Sequence, residues 1–203
     1  VIKNKTSLFL PVVVGLVAIL GCRQLTQSSG NESNGSKTYT AAGKEWKSYD
    51  LDQTDLKLDL PASPEDKTPQ LPASSKDIFS AMRIYALHDK DFEVSATELV
   101  PTGKRKWQIK DLADTNMTAL KRQLPDLTYT LDVASDTNAK YNGSFTKNGK
   151  NFDLRGCCVY KKAGPARVWA IFTLYPKDNT DARSAAQRVI DSVVFKNSTE
   201  ECK

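Results

Sequence analysis

The sequence predicts an α+β fold, an antiparallel sheet packed with helices, and three observations carry that expectation. Leu56-Lys57-Leu58-Asp59-Leu60 and Leu127 to Val133 alternate strictly between apolar and polar residues, the pattern of strands with one buried face. Asn148-Gly149 stands between two longer runs of mixed pattern and supplies the positive-φ tolerance of a two-residue hairpin turn. Two other segments repeat their apolar residues at helical spacing.

Taken in order, Trp46, Tyr49 and Leu51 lead through a turn at 52–55 into the Leu56 to Leu60 strand, forming a first hairpin. A loop holding Pro61, Pro64, Pro69 and Pro72 follows, long enough to be mobile. Strands are expected at 78–87 and 92–100, with Phe92, Val94 and Ala96 on one face and His88-Asp89-Lys90-Asp91 as the turn. Ile109, Leu112, Ala113, Leu120 and Leu124 mark an amphipathic helix over 106–124, stopped by Pro125. Strands at 127–133, 141–147, 151–161 and 168–175 come next, the last apolar on both faces and therefore covered on both. Ala182, Ala185, Ala186, Val189 and Ile190 define a second helix at 180–192, and 193–195 reads as a short closing strand.

The residues ahead of this domain have a different composition. Lys3 and Lys5 precede an apolar run from Leu8 to Leu20, too short to span a hydrocarbon core of about 30 Å, with Pro11 and Gly15 inside it. That layout predicts a cleaved signal peptide over 1–21. Ile19-Leu20-Gly21-Cys22 resembles the bacterial lipobox, and the resemblance implies that Cys22 becomes the lipidated first residue of the mature protein. Acyl chains at Cys22 would hold the protein on a membrane, since each buried methylene contributes about 0.8 kcal/mol and two or three chains anchor stably. Residues 22–44 are rich in Ser, Asn, Gln and Gly and predict a disordered tether with an average reach of roughly 25 Å. The expected division is therefore signal peptide 1–21, lipidated Cys22 and tether 22–44, folded domain 45–196 and polar tail 197–203. The expected location is the cell envelope, on the exported side of a membrane, either periplasmic or at the surface.

Lysine and arginine number 29 against 24 acidic residues, a net +5, and loss of Lys3 and Lys5 with the leader leaves +3. This modest excess disfavours sequence-independent nucleic-acid binding. Catalysis is not expected either, because histidine, the usual general base, occurs once, as His88 in a turn. No His-rich or zinc-knuckle spacing is present, so no metal or cofactor is expected.

Beyond Cys22 three cysteines remain. In the strand from Asn151, Phe152, Leu154, Cys158 and Tyr160 share one face, while Asp153, Arg155, Cys157 and Lys161 share the other. Cys158 is thus expected in the core. Cys157 is expected to face outward, where it and Cys202 on the tail either close a surface disulfide or remain two thiols. A vicinal bridge from Cys157 to Cys158 would demand a distorted peptide.

Lys104, Arg105, Lys106 and Trp107 form a basic run with an aromatic, a candidate contact for a partner. Together with Lys147, Lys150, Arg155, Lys161 and Lys162 it could build a surface for anionic headgroups or an acidic protein. A different class of function, an apolar-ligand carrier, would need a pocket between sheet and helices lined by Tyr85, Tyr129 and Trp169.

From Trp46 to Phe195 the order of elements resembles the PsbP-like family, an α/β/α sandwich found in photosystem II extrinsic subunits, a Ran-binding import factor and DcrB-type envelope lipoproteins. The likeness rests on Trp46-Lys47-Ser48-Tyr49, on Leu56 to Pro61, and on the Ala185 to Phe195 run. It implies a non-enzymatic domain that works by binding an envelope protein or another envelope component, and it names no partner, because fold does not transfer function.

Overall fold

The computed structural model describes residues 38–51, 54–103, 107–162, 164–196 and Cys202; the leader, Cys22, residues 23–37 and most of the polar tail lie outside the described residues. The centre of the fold is a seven-stranded sheet, antiparallel throughout. Its strands are β3 (Glu65–Asp66), β4 (Phe79–Asp89), β5 (Phe92–Pro101), β6 (Thr128–Val133), β7 (Asn138–Lys147), β8 (Lys150–Lys161) and β9 (Arg167–Pro176), in the spatial order β3-β4-β5-β9-β8-β7-β6. A second sheet is built by β1 (Lys47–Asp50), β2 (Leu56–Leu60) and β10 (Val194–Phe195), with β2 in the middle. Two helices complete the fold, α1 (Ile109–Gln123) and α2 (Thr180–Asp191).

Neighbouring residues on a strand point to opposite faces, so the large sheet sorts its side chains into two cores. One face, with Met82, Ile84, Leu99, Leu154, Cys158, Phe172 and Leu174, is covered by Ile109, Leu112, Met117 and Leu120 of α1. The other face, with Tyr85, Leu87, Val94, Cys157, Trp169 and Ile171, is covered by Leu56, Leu58 and Leu60 of the small sheet and by Ala182, Ala186 and Val189 of α2. The α+β class is therefore as expected, helices lying on both sides of an antiparallel sheet. Trp169, fully enclosed, shows why β9 is apolar on both faces.

Two tight turns set the register. Asn148 (φ 51°) and Gly149 (φ 71°) both adopt left-handed backbone, which lets Lys147 pair with Lys150 across the turn. Between β4 and β5 the loop is only Lys90-Asp91, with Lys90 at φ 59° and Asp89 paired to Phe92. His88 is consequently a strand residue, exposed near the end of β4, and not part of the turn.

The Pro-rich segment is pinned rather than loose. Its β3 pairs with Tyr85 and Ala86 of β4, Lys67 N donates to Ile84 O at 2.8 Å, and Thr68 Oγ1 accepts from Ile84 N at 2.9 Å. The domain also begins earlier than residue 45. Tyr39 is 2% exposed, its ring lies 4.6 Å from that of Phe92, and its backbone N–H donates to Asp91 Oδ1 at 2.7 Å. Asn179 caps α2 by accepting from Ala182 N at 3.0 Å, and its Nδ2 donates to Tyr39 O at 2.9 Å. Composition assigns residues 38–44 to the tether, but one buried ring and these bonds fix them to the domain.

Candidate functional site

The second layer does not cover the whole of the face it packs on. The small sheet lies over β4 and β5 and α2 lies along β8 and β9, which leaves the β6 and β7 part of that face open. A cleft of about 430 Å³ results, within the range of small-ligand sites. Register explains its lining. Thr128 is opposite Ser144, Thr130 opposite Asn142, Ser144 opposite Asp153, Asn142 opposite Arg155 and Asp153 opposite Tyr175, so all seven side chains project from one face.

Within the cleft, Ser144 Oγ donates to Asp153 Oδ1 at 2.9 Å and Thr128 Oγ1 donates to Ser144 O at 3.3 Å. The Arg155 guanidinium bonds Gln187 Oε1 on α2, and Gln187 Nε2 is held in turn by Asp191 Oδ1 at 2.6 Å. Among the described residues, the side chains of Thr130 and Asn142 and the hydroxyl of Tyr175 make no hydrogen bond. Tyr175 is 3% exposed, and burial raises its hydroxyl pKa, with Arg155 opposing and Asp153 assisting. It stays protonated at neutral pH, a donor at the cleft wall. The arrangement offers donors and acceptors side by side, suited to recognition of a polar group. His88 lies on β4, across the sheet and on the opposite face.

The residues singled out from sequence are distributed differently. Lys104, Arg105 and Lys106 lie outside the described residues. Trp107 is half-buried and stacks on Phe79 with ring centroids 5.4 Å apart, so its ring serves the core under α1. The remaining basic positions do not form one surface. Lys150 and Lys161 stand at opposite ends of the twelve-residue β8, roughly 35 Å apart at about 3.3 Å per residue. Lys161 is 6% exposed, paired with Asp55 and donating to Lys196 O at 2.8 Å, while Lys162 pairs with Asp136 and Arg155 enters the cleft.

The proposed carrier pocket is likewise not assembled. Tyr85 and Trp169 belong to the core beneath the small sheet and α2, whereas Tyr129 packs against the core on the other face. Trp169 Nε1 donates to Asp55 Oδ1 at 3.1 Å and is fully buried. The crevice between α1 and the sheet, lined by Leu99, Leu112, Asn116 and Cys158, holds only about 20 Å³.

Cys157 and Cys202 form a disulfide, with Cα atoms 5.7 Å apart. Cys157 does not face outward to solvent; it is fully buried, because the face opposite Cys158 is itself covered by the second layer. Cys202 is 2% exposed, so the tail is tied down at that point. Cys158 is a free thiol under α1, and burial pushes its pKa up to about 12. Adjacent strand residues point apart, which separates this thiol from the disulfide beside it.

Among the described residues no helix is long and apolar enough to cross a membrane, and no group of three His, Cys, Asp or Glu side chains is placed to hold a metal ion. No family model matches the sequence, and no curated protein matches it. Among solved structures the chain is similar to LpqN of Mycobacterium tuberculosis, described as involved in cell envelope biogenesis, at 15% identity and a TM-score of 0.40, over 79% of this chain and 99% of that one. Similarity at that level carries no argument about what this chain binds.

Proposed function

We propose that this chain is a lipid-anchored cell-envelope lipoprotein that acts by binding, without catalysis, an envelope protein or another envelope component through its α+β domain. The Ile19-Leu20-Gly21-Cys22 lipobox is the observation that carries the anchoring, with Cys22 as the lipidated residue. The buried Cys157–Cys202 disulfide independently supports export, because such bonds persist in oxidising compartments outside the cytosol. In this reading the lipid holds the chain on the exported side of a membrane. Tyr39 fixes the other end of the tether beside the β4–β5 turn. The cleft over β6 to β8 is the surface left for a partner.

Cross-linking in intact cells of the source organism, followed by capture and mass spectrometry, tests the binding role, and a discrete reproducible envelope partner is expected. Cell fractionation of Cys22→Ser tests the anchor. Release of the variant from membranes is expected, and full retention would overturn the lipidation. Charge reversal at Lys104, Arg105 and Lys106 is expected to weaken the association in a salt-dependent way; unchanged association at low salt would remove that run from the contact.

A further inference from the structure

We propose that the cleft over β6, β7 and β8 binds a neutral polyhydroxylated ligand, a saccharide segment. This deepens the proposal that the domain works by binding and names the chemistry of what it takes.

Charge is the first argument. The open face carries Asp132, Lys140, Asp153 and Arg155, with Asp132 directly opposite Lys140, and α2 adds Arg183 near Tyr175 and Asp191 behind Gln187, so the signs stay balanced at three of each. A phosphate or sulfate entering toward Arg155 meets Asp153 on the same strand face, and a cation entering toward Asp153 meets Arg155. Neither finds the one-signed field that desolvating an ion requires.

Hydrogen-bonding capacity is the second. A sugar hydroxyl donates and accepts at once, in directions fixed by the ring, and matches groups that do the same. Thr130 and Asn142 present such groups without a partner, Asn142 offers a carbonyl and an amide on one side chain, and Asp153 Oδ2 adds an acceptor beside the Oδ1 that Ser144 occupies. The protonated Tyr175 hydroxyl, set in a side chain 3% exposed, supplies a donor fixed in direction by its packing. Arg155 and Gln187 brace one another across the cleft wall, so these groups stand in place before a ligand arrives.

Shape is the third. The cleft lies on the face of the β6–β7–β8 ladder and not at the free outer edge of β6, so a peptide seated in it cannot pair as an added strand. A ligand must be read by side chains, and these are hydroxyls, amides and two charges of opposite sign, Asp153 held by Ser144 and Arg155 held by Gln187.

The experiment is an NMR titration of the isotopically labelled full chain, in a detergent without a sugar headgroup, with maltohexaose, cellohexaose and chitohexaose. At least one is expected to shift the amide signals of Thr130, Asn142 and Arg155 while leaving those of Leu112 and Met117, on the other face, in place. Asn142→Ala combined with Thr130→Val is expected to weaken that binding about tenfold or more, with the melting temperature unchanged, since both side chains are exposed and unpartnered. No shift with any of the three up to their solubility would overturn the proposal, as would shifts confined to other parts of the domain. A response to polyphosphate or to acidic oligosaccharides alone would overturn it equally. Failure here leaves the cross-linking and fractionation results untouched, so the two proposals fall separately.

Discussion

Tyr141 and Gly156 are cross-strand partners on β7 and β8, and the tyrosine ring lies over the glycine in the space a side chain would fill. The ring reaches across the sheet so that its hydroxyl meets Cys157 O at 3.1 Å and Ile171 O at 3.0 Å, sharing one proton between them. Asn116 Nδ2 on α1 approaches the same oxygen at 3.4 Å. One aromatic residue thereby ties β7, β8, β9 and α1 together at the centre of the sheet.

Gly156→Ala is expected to destabilise the domain by about 1–3 kcal/mol or more, because the added methyl overlaps both the Tyr141 ring and the Ile171 carbonyl, neither of which can move freely. Tyr141→Phe keeps the ring and removes the hydroxyl, with an expected loss of about 1–3 kcal/mol. Urea denaturation of the two variants checks both, and a wild-type midpoint for Gly156→Ala would contradict the packing.

Reduction of the disulfide is expected to matter more than its place near the C-terminus suggests. Cys157 and Cys202 are separated by 45 residues, and a closed loop of that size stabilises by roughly 4 kcal/mol in the chain-entropy account. Cys202→Ala should lower the melting temperature, and reductant should lower the wild-type value while leaving that of the variant unchanged. A free-thiol count on unreduced mature protein whose Cys22 is acylated should return one, from Cys158; three would exclude the bridge.

Glu93 sets the expected pH dependence. It is 2% exposed, neither carboxylate oxygen has a hydrogen-bond partner, and burial raises its pKa to about 7, with Lys147 pulling the other way. The folded state thus holds this proton more tightly than the unfolded chain, whose carboxyl titrates near 4.5. Glu93's contribution is fully present below about pH 4.5 and is lost as pH rises through about 7, a change of about 3 kcal/mol at 1.36 kcal/mol per pH unit. Glu93→Gln is expected to flatten that slope and to be more stable than wild type at pH 8. Denaturation curves between pH 4 and pH 8 decide it, and parallel pH profiles for the two proteins would refute the assignment.

Glu98 has no solvent exposure and lies between two arginines, accepting from Arg83 at 2.6 Å and pairing with Arg167. Arg167 also faces Asp55 at 3.9 Å, and Asp55 in turn holds Lys161 and the Trp169 indole N–H, so one network joins β4, β5, β8 and β9 to the turn that leads into β2. Glu98→Ala leaves two guanidiniums without their buried counter-charge and is expected to cost about 3–5 kcal/mol. Measured stability within 1 kcal/mol of wild type would show that water substitutes for the carboxylate.

The polar cleft was only half legible in the residues. Alternation makes Thr128, Thr130, Asn142, Ser144, Asp153 and Arg155 the polar side of their strands, but the same rule made Cys157 and Lys161 polar-side residues, and both are buried. The difference lies in what packs above each position. Trp107 shows the converse, an aromatic next to charges in sequence whose ring is taken by Phe79. Residues 38–44 lack apolar content apart from Tyr39 and two alanines, and no composition rule foretells that Phe92 and Asn179 hold Tyr39.

The sequence by itself determined the α+β class, the strands other than β3, both helices, the Asn148-Gly149 turn and the opposite facing of Cys157 and Cys158, because periodicity and turn chemistry are local properties of the chain. Tertiary structure alone decided which polar strand face stays open and which is roofed by β2 and α2, that Lys161 is enclosed with Asp55, and that Cys202 reaches Cys157. Those outcomes depend on contacts between residues tens to more than a hundred positions apart, set by how two cores pack on one sheet, and no local pattern encodes them.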